Sequence, residues 1–464
     1  MWHTIIAAFG LMRNPFAVSH RAREMEYISL GLLFRRISTK YINDKFTEKY
    51  LMSLSEDLAW RGLVKDKTFT DLGWLDEPKT FYHGVDASSD SLTIGNLAAL
   101  LLARRLIDGG WKAVLLVGGA TSLIGDPGGK TEERELQPRE EILRNTEAIK
   151  EQVSGLFAGQ HFTPADNYKW LADVKYLDFL REVGKSFSMT ELMQREFVRE
   201  RMGEGGSGVS YAEFSYSLIQ GYDYWQLFKN HAVELQIGGS DQWGNMLSGV
   251  ALIRKKEGKE VHALSMPLVV DKATGRKFGK TEAGTVWLDT QKTSPTQFYQ
   301  FWINSDDADV ENYLKIFTLL PKEQIEQAVS EHKVDPSQRK AQKKLAEEVT
   351  KLVHGSESSA ATGVTKYLTS QVSISGATQE ELAQIRNEVP STRARDVGSI
   401  IDALVKTGLV ASNSIARTIL ANGGVYINGQ QVTRDTFEPR DFQNGRLLLR
   451  RGKAYKDSAL VELE

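Results

Sequence analysis

Tyr82-His-Gly-Val-Asp86-Ala-Ser-Ser-Asp-Ser-Leu-Thr93-Ile-Gly-Asn96 is the stretch that decides how the chain is read. An apolar strand, Phe81 to Val85, enters a loop of small residues, and a helix starts near Ile94 and continues through Leu97-Ala-Ala-Leu-Leu-Leu102. Strand, loop and helix in that order aim backbone N–H groups and the positive end of a helix dipole at whatever the loop holds, which favours an anion. The Ile-Gly-Asn step leaves room for a nucleotide at the helix start. The same residues also suit an ordinary cap and turn, and the remainder of the chain has to choose between the two. Trp111-Lys-Ala-Val-Leu-Leu-Val117 is a continuous apolar run fit for a buried parallel strand, and Gly118-Gly-Ala-Thr-Ser-Leu-Ile-Gly-Asp126-Pro-Gly-Gly-Lys130 succeeds it as a glycine-rich loop. Two such units in succession predict an α/β, doubly wound parallel-sheet domain with ligands at the carboxyl ends of its strands. The second loop lacks Gly-x-Gly-x-x-Gly, which argues against a dinucleotide-dependent dehydrogenase.

Composition narrows the class. The chain has 464 residues, 41% of them hydrophobic and 25% charged, with a net charge of −2. That is ordinary for a soluble protein of about two to four domains and does not announce a polyanion binder. There is no cysteine. Disulfides, thiol nucleophiles and Cys-ligated zinc are excluded, and a reducing compartment fits. No His-x-x-x-His or carboxylate cluster stands at ligand spacing, so no protein-held metal is expected. No apolar run reaches membrane-spanning length, so no membrane partner is expected. Residues 1–44 open apolar, then mix Arg13, Arg21, Arg23, Arg35 and Arg36 with Glu24, Glu26 and Asp44. They read as a dispensable or disordered extension. A cytoplasmic location is expected, with organelle targeting by the extension left open.

Further along, a helical pattern runs from about Lys45 to Ala59. Residues 141–202 are expected to be largely helical, with Asn167-Tyr-Lys-Trp170 among them. The charged run Gln194 to Arg201 suits a solvated or subunit-facing helix. After the Gly/Ser loop Gly203 to Ser210, Tyr216, Gln220 and Asp223 stand at i, i+4, i+7 on one helix face, which either lines a pocket or faces solvent. Glu234-Leu-Gln-Ile-Gly-Gly-Ser-Asp241-Gln242-Trp-Gly-Asn245 reads as a strand entering a turn, with Asp241 and Gln242 at its carboxyl end. Lys272 to Thr281 is a basic loop whose Thr274 occupies the first glycine position of a P-loop, so that motif fails. Its lysines and threonine can still contact phosphates.

From Ser294 to Gly355 the pattern is helical, with Asp335-Pro336 expected to cap a helix ending at His354. Arg339, Lys340, Lys343 and Lys344 there fit either a self-paired helix with Glu347 and Glu348 or an RNA face. Ser356 to Gly363 and Gly376 to Arg393 read as loops and a linker. Arg393 to Glu464 holds eleven Lys and Arg against eight Asp and Glu. Two short helices (Val397 to Gly408, Ser412 to Asn422) and strands near Val425 and Arg446 are expected there. The basic end Arg450, Arg451, Lys453 and Lys456 fits an RNA surface or a solvated edge strand.

Taken in order, Tyr82-x-Gly-x-Asp86, Ser-Leu-Thr93-Ile-Gly-Asn96, Gly-Asp126-Pro-Gly-Gly-Lys130, Tyr216-x-x-x-Gln220-x-x-Asp223, Gly-Gly-Ser-Asp241-Gln242 and Lys277-Phe-Gly-Lys280-Thr281 resemble the bacterial-type tyrosyl-tRNA synthetases, class I aminoacyl-tRNA ligases. Ser412 to Gly429 resembles the S4 RNA-binding domain that this family carries at its C-terminus. The resemblance spans about Lys45 to Glu464. It implies a Rossmann-like catalytic domain over 45–295, a helical anticodon-recognition domain over 296–372, a linker over 373–393 and an S4-like α+β domain over 394–464. It also implies activation of tyrosine by ATP with Mg²⁺, transfer of tyrosine to tRNA, and a homodimer. In that frame Tyr82 and Asp223 bond the substrate phenol, while Asp126, Tyr216 and Gln220 receive its ammonium and Gln242 lies by its carboxylate. Asp86, Ser88, Gly95 and Asp241 belong to the nucleotide, with Asp241 on the ribose. Thr93, Asn96, Lys130, Arg134, Lys277, Lys280 and Thr281 serve the phosphates, and Arg417, Arg450, Arg451 and Lys453 serve RNA.

The chemistry of the residues agrees with the resemblance. A carboxylate ionised at neutral pH needs no general base to attack a phosphate; it needs alignment and donors placed where charge grows. The main departures from the family pattern are Thr93 where His is usual, His83 where Cys is frequent, and Ser88 where Thr is frequent. Thr93 keeps a hydroxyl on a shorter, stiffer side chain, and His83 either contacts the ribose or points away. Rival readings are an RNA-binding relative that no longer aminoacylates and another class I nucleotidyl-transfer enzyme.

Overall fold

The computed structural model describes residues 52–126, 136–194, 196–270, 278–281, 284–355, 357–369, 373–452 and 457–464. The extension 1–44 and the expected site residues Lys130, Arg134, Lys277 and Lys453 lie outside the described residues, and Lys280 and Thr281 are described in their backbone alone.

Six strands form the first sheet: β1 (Asp66–Lys67), β2 (Thr80–Asp86), β3 (Lys112–Gly118), β4 (Phe162–Asp166), β5 (Leu235–Gly239) and β6 (His262–Met266). Their order is β1-β6-β5-β2-β3-β4. Strands β2 to β6 are parallel and β1 lies antiparallel on β6. After the short edge strand β1, the parallel part starts at β2, moves outward to β3 and β4, then returns to the other side with β5 and β6. The order therefore reverses between β2 and β5, where a parallel sheet opens a crevice at its carboxyl ends. β3 is buried at every position but Lys112, as its unbroken apolar run predicts. β4 lies within the stretch expected to be helical. It is an edge strand with Pro164 inside it and only Ala165 buried, so its sequence carries no alternation to read.

The covering helices are α1 (Ile94–Asp108), α2 (Arg139–Leu156), α3 (Tyr211–His231) and α4 (Trp243–Glu257). α3 and α4 approach closely through two glycines: a Cβ on Gly249 would lie 2.5 Å from the Tyr224 ring, and one on Gly221 would lie 3.2 Å from Ser248. That packing fixes the Asp223 side of α3 against the sheet. α3 starts from a reciprocal cap, with Ser210 accepting from the Glu213 N–H at 3.2 Å and Glu213 accepting from the Ser210 N–H at 3.2 Å. The Glu213 carboxylate also takes two bonds from the Arg201 guanidinium, 2.6 and 2.9 Å, with both side chains buried.

A two-strand ribbon, β7 (Lys280–Thr281) and β8 (Gly284–Thr285), precedes the helices α5 (Pro295–Ile303), α6 (Val310–Phe317), α7 (Lys322–Val334) and α8 (Lys340–His354). Arg61 and Arg105, both buried, join this helical part to the sheet domain by donating into the carboxyl end of α6. Arg61 reaches the Lys315 carbonyl at 2.9 Å, and Arg105 reaches those of Lys315 and Ile316 at 3.1 and 3.2 Å. Phe278 stacks on Phe317 with centroids 5.0 Å apart, anchoring the basic loop's phenylalanine among the helices. Pro336 opens a single 3₁₀ turn rather than α8, which begins only at Lys340 after Arg339 takes a left-handed backbone. Arg339 donates to the carbonyls of Ile303 and Ser305, both at 2.8 Å, and Lys344 pairs with Glu348 at 2.8 Å. The basic cluster is therefore partly committed to packing and self-pairing.

Where described, the segments read as loops and linker hold regular elements. α9 (Glu357–Thr369) and α10 (Gln379–Glu388) lead into β9 (Ser391–Ala394), and then come α11 (Ile400–Lys406), α12 (Asn413–Ala421), β10 (Val425–Ile427), β11 (Gln430–Val432), β12 (Arg446–Arg451) and β13 (Ser458–Leu463). The second sheet runs β11-β10-β12-β13-β9, with β9 parallel to β13. Leu382, Ile385 and Val389 pack with Leu448 and Leu460, so the segment up to Val389 is built onto one face of this sheet, and β9 extends its edge. Within α10 only Leu382 and Ile385 are buried, too few to reveal its period in the sequence. Its cap, Thr378 accepting from the Glu381 N–H at 3.2 Å, is the one local sign, Thr-x-x-Glu.

Candidate active site

At the β2–β5 reversal, Tyr82 points from β2 into the core. It is 1% exposed, and its hydroxyl has no partner among the described residues. Its ring meets Tyr224 edge to face at 5.1 Å. Burial, reinforced by the Asp223 charge, pushes its pKa well up, so it stays a neutral donor. Asp223, from α3, is also 1% exposed. It accepts from Asn167 Nδ2 at 2.9 Å and Trp170 Nε1 at 2.7 Å. Burial raises its pKa to about 7, against the opposing pull of those two donors. Asn167 also donates to Thr121 Oγ1 at 3.0 Å and accepts from the Ala120 N–H at 2.8 Å, which locks its amide. Beside Tyr82 in register, Gln236 on β5 is buried and its Oε1 also has no partner among the described residues. Buried polar atoms left unsatisfied are costly, and a ligand hydroxyl that both donates and accepts would match this group.

At the carboxyl end of β2, Asp86 accepts from the Tyr216 hydroxyl at 2.7 Å and from Thr121 Oγ1 at 2.7 Å. A side chain on Gly118 would collide with that threonine oxygen and with the carboxylate, so only glycine admits the pair. Asp126 accepts from Gln242 Nε2, and Asn245 donates to Gln242 Oε1 at 3.1 Å and to Asp126 at 3.4 Å. The Tyr216 pKa is raised well above its usual value by burial and then by Asp86 and Asp126. Asp86, Asp126 and Asp223 thus surround one buried hydroxyl, an arrangement that attracts a cation. The expected stripe on α3 turns inward: Tyr216 and Asp223 are buried and Gln220 is half-buried. Asp86, expected with the nucleotide, shares its carboxylate with Tyr216 and Thr121. Asp241 is exposed in the turn after β5, and Ser88 and Gly95 are exposed on the other side of the crevice.

The loop and helix start at 87–96 are held from three sides. From α2, Gln152 Oε1 accepts the Leu92 N–H at 2.8 Å, its amide donates to Ser91 at 3.0 Å, and Asn145 donates to the Ala87 carbonyl at 3.3 Å. Ser122 accepts the Ala87 N–H at 2.7 Å. The segment after β8 zips onto the same loop: Leu288 N–H donates to the Leu92 carbonyl at 2.8 Å, Ile94 N–H to the Val286 carbonyl at 3.2 Å, and Lys292 pairs with Asp90. Gly279, with φ +87°, lies where a Cβ would meet Ile94 at 2.8 Å, so the basic loop touches the helix start through a glycine. Thr93 caps α1, and Asn96 Oδ1 accepts both the Thr93 N–H (3.0 Å) and the Thr93 hydroxyl (2.9 Å). His83 is buried and donates from Nδ1 to the Ile237 carbonyl at 3.2 Å. Burial lowers its pKa and keeps it neutral.

Sequence reasoning passes over Thr121, Asn145, Gln152, Asn167, Trp170, Gln236 and Asn245 as site residues. Asn167 and Trp170 stand at helical i, i+3 spacing, the one available signal. The others are single polar residues in apolar or charged surroundings, and only the fold gives them partners. In the C-terminal part, Arg417 is exposed on α12, Arg450 is half-buried on β12, and Arg451 pairs with Asp457 at 2.8 Å.

Comparisons with known proteins show what the whole chain is similar to. A family model described as tRNA synthetases class I (W and Y) matches residues 75–365, and one described as the tyrosine–tRNA ligase C-terminal domain matches 381–456. The tyrosine–tRNA ligase of Desulfitobacterium hafniense is 42% identical over 425 residues, covering 89% of this chain and 100% of the relative. That of Bacillus caldotenax is 45% identical over 392 residues, covering 82% of this chain and 92% of the relative. Among solved structures, a C-terminally truncated mitochondrial tyrosyl-tRNA synthetase from Aspergillus nidulans superposes with a TM-score of 0.61 at 30% identity, covering 69% of this chain and 95% of that one. With a class I catalytic match over more than half its length, a tyrosine-type C-terminal domain behind it and relatives spanned almost end to end, the chain belongs to the tyrosyl-tRNA synthetase family of class I aminoacyl-tRNA ligases.

Proposed function

We propose that the crevice at the β2–β5 reversal is where this tyrosine–tRNA ligase joins L-tyrosine to ATP, giving tyrosyl-adenylate and pyrophosphate, before passing the tyrosyl group to the 3′ end of its tRNA. The observation that carries the reading is the Tyr82 hydroxyl, buried without a partner among the described residues in the field of Asp223. A substrate phenol would donate to the Asp223 carboxylate and accept from Tyr82. Phenylalanine would leave the Tyr82 hydroxyl unsatisfied, at a cost of about 1–3 kcal/mol for a buried group, and would deny Asp223 the charge-assisted bond that adds to those from Asn167 and Trp170. The ammonium would be drawn to Asp86, Asp126 and Tyr216, with Gln220 on the same helix face, and Gln242 would stand by the substrate carboxylate. Asp241 would take the ribose, and Gly95 and Ser88 would border the nucleotide.

The attacking carboxylate is already ionised, so the remaining task is to hold it in line and to donate hydrogen bonds to the phosphates. Asn96, Lys130, Arg134, Lys277, Lys280 and Thr281 are the proposed donors. ATP is expected to bring Mg²⁺ on its own phosphates, as that ion usually binds with few protein ligands. Tyrosine-dependent exchange of pyrophosphate into ATP tests the reading on the full chain. Exchange with tyrosine and none with tryptophan or phenylalanine is expected; no exchange, or exchange with tryptophan, would defeat it.

The working unit is proposed to be a homodimer. Tyr176, Leu177, Met189, Met202 and Tyr211 are each more than half exposed, and the Tyr176 and Tyr211 hydroxyls lie 3.3 Å apart, which brings the segments carrying them together. Large apolar side chains exposed together mark an interaction surface. Sedimentation at micromolar concentration is expected to give twice the 52.0 kDa chain mass. A monomer mass would refute the pairing. The exposed Arg417, with Arg450 and Arg451 on β12, is proposed to meet tRNA. No helix among the described residues is long and apolar enough to cross a membrane, and the cytoplasm is the proposed location.

A further inference from the structure

We propose that Thr93 is a positioning residue for Asn96 and not itself a donor to the phosphates, an inference that rests on the synthetase reading of the crevice. The Thr93 backbone N–H lies 3.0 Å from one terminal atom of the Asn96 carboxamide, and a backbone N–H can only donate, so the atom facing it is the carbonyl oxygen Oδ1. The same oxygen lies 2.9 Å from Thr93 Oγ1. With Oδ1 in the role of acceptor, the hydroxyl must donate to it, and its single proton is used. Thr93 therefore keeps only lone pairs, which a phosphate oxygen repels.

The two bonds converge on one oxygen and set the amide plane, so Nδ2 turns away from Thr93. Among the described residues Nδ2 has no partner. Its N–H groups stand at the first turn of α1, where the helix dipole already favours negative charge. Thr93 is itself held by the strand-like bridge to Trp287 and by the Ile94 N–H on the Val286 carbonyl, so it offers a fixed platform. The chain thus places one rigid amide donor at the helix start, with the threonine hydroxyl spent on aiming it.

A double-mutant cycle on the full chain tests this through tyrosine-dependent pyrophosphate exchange. Thr93→Val removes the hydroxyl and keeps the shape and the backbone bond. It is expected to lower kcat about tenfold, the worth of one hydrogen bond, with KM for tyrosine within about twofold. Thr93→Ser, which keeps the hydroxyl, is expected to stay within about twofold of the unaltered chain. Asn96→Ala is expected to cost about a hundredfold. In that background Thr93→Val should change kcat by less than about twofold, since nothing remains to aim. An equal tenfold loss in both backgrounds, or a rise in rate on Thr93→His, overturns the proposal. A substrate-free cycle in melting temperature reads the same coupling. Losses smaller in the double variant than the sum of the singles support it, and additive losses overturn it. Absence of exchange by the unaltered chain would overturn the proposed function instead, and the melting cycle would still decide the Thr93–Asn96 coupling.

Discussion

Asp223→Asn is expected to reduce tyrosine-dependent exchange by about a hundredfold or more while removing a proton from the pH dependence of folding. The first effect comes from losing a charged, desolvated acceptor, with about 3 kcal/mol as the scale for a hydrogen bond to an ionised group. Asparagine also places an N–H₂ against one of two donors, Asn167 Nδ2 or Trp170 Nε1, that the carboxylate accepts together. The second effect comes from the carboxyl's pKa, raised by burial from 3.8 to about 7. A folded-state pKa above the unfolded one means that the native protein holds the proton more tightly. The resulting stability is fully present below about pH 4 and is lost as pH rises through about 7, by at most roughly 4 kcal/mol. Urea unfolding between pH 5 and 8 should therefore show a fall in stability with pH that is shallower by one proton in Asp223→Asn. Equal slopes would remove the claim that Asp223 titrates in this window. Tyrosine affinity should move the other way in the unaltered chain, strengthening as Asp223 ionises near pH 7.

Arg201→Ala carries the second large effect, on stability. The guanidinium makes a two-pronged pair with Glu213, and the two side chains are 5% and 4% exposed. Removing one partner strands a buried charge, which costs about 3–5 kcal/mol. Glu213 closes the cap of α3, the helix that carries Tyr216, Gln220 and Asp223, so the damage reaches the site from its first turn. A several-degree fall in melting temperature is expected, with weaker tyrosine affinity. Arg201→Met with Glu213→Leu, which replaces the pair by apolar groups of similar bulk, should recover most of the stability. A small loss in the single variant, below about 1 kcal/mol, would show that water reaches the carboxylate.

Much of the candidate site is legible because its residues stand at the ends of readable elements. Tyr82 lies within a readable apolar strand and Asp86 ends it before a loop of small residues, and Tyr216 and Asp223 share a helical period. The ordered motifs then point to the family. The surrounding supports are not legible. Asn167 and Trp170 reach Asp223 across more than fifty residues, and Gln152 reaches Leu92 across sixty. No local pattern encodes such pairings. Residues 373–393 escape a sequence reading because α10 and β9 become stable only by packing on β12 and β13, with Arg386 pairing to Glu462 at 2.8 Å.

Hydrophobic period and glycine placement are local properties. They point to a doubly wound sheet with a crevice at the carboxyl ends of its strands, while the ordered motifs and the family they resemble supply the roles of the residues there. Which side chains share their hydrogens is settled in three dimensions. The fold assigns the Asp86 carboxylate to Tyr216 and Thr121, leaves the Tyr82 hydroxyl without a partner among the described residues, and spends the Thr93 proton on Asn96. A hydrogen bond depends on distances between atoms, many of them far apart along the chain, and those distances exist only once the chain has folded.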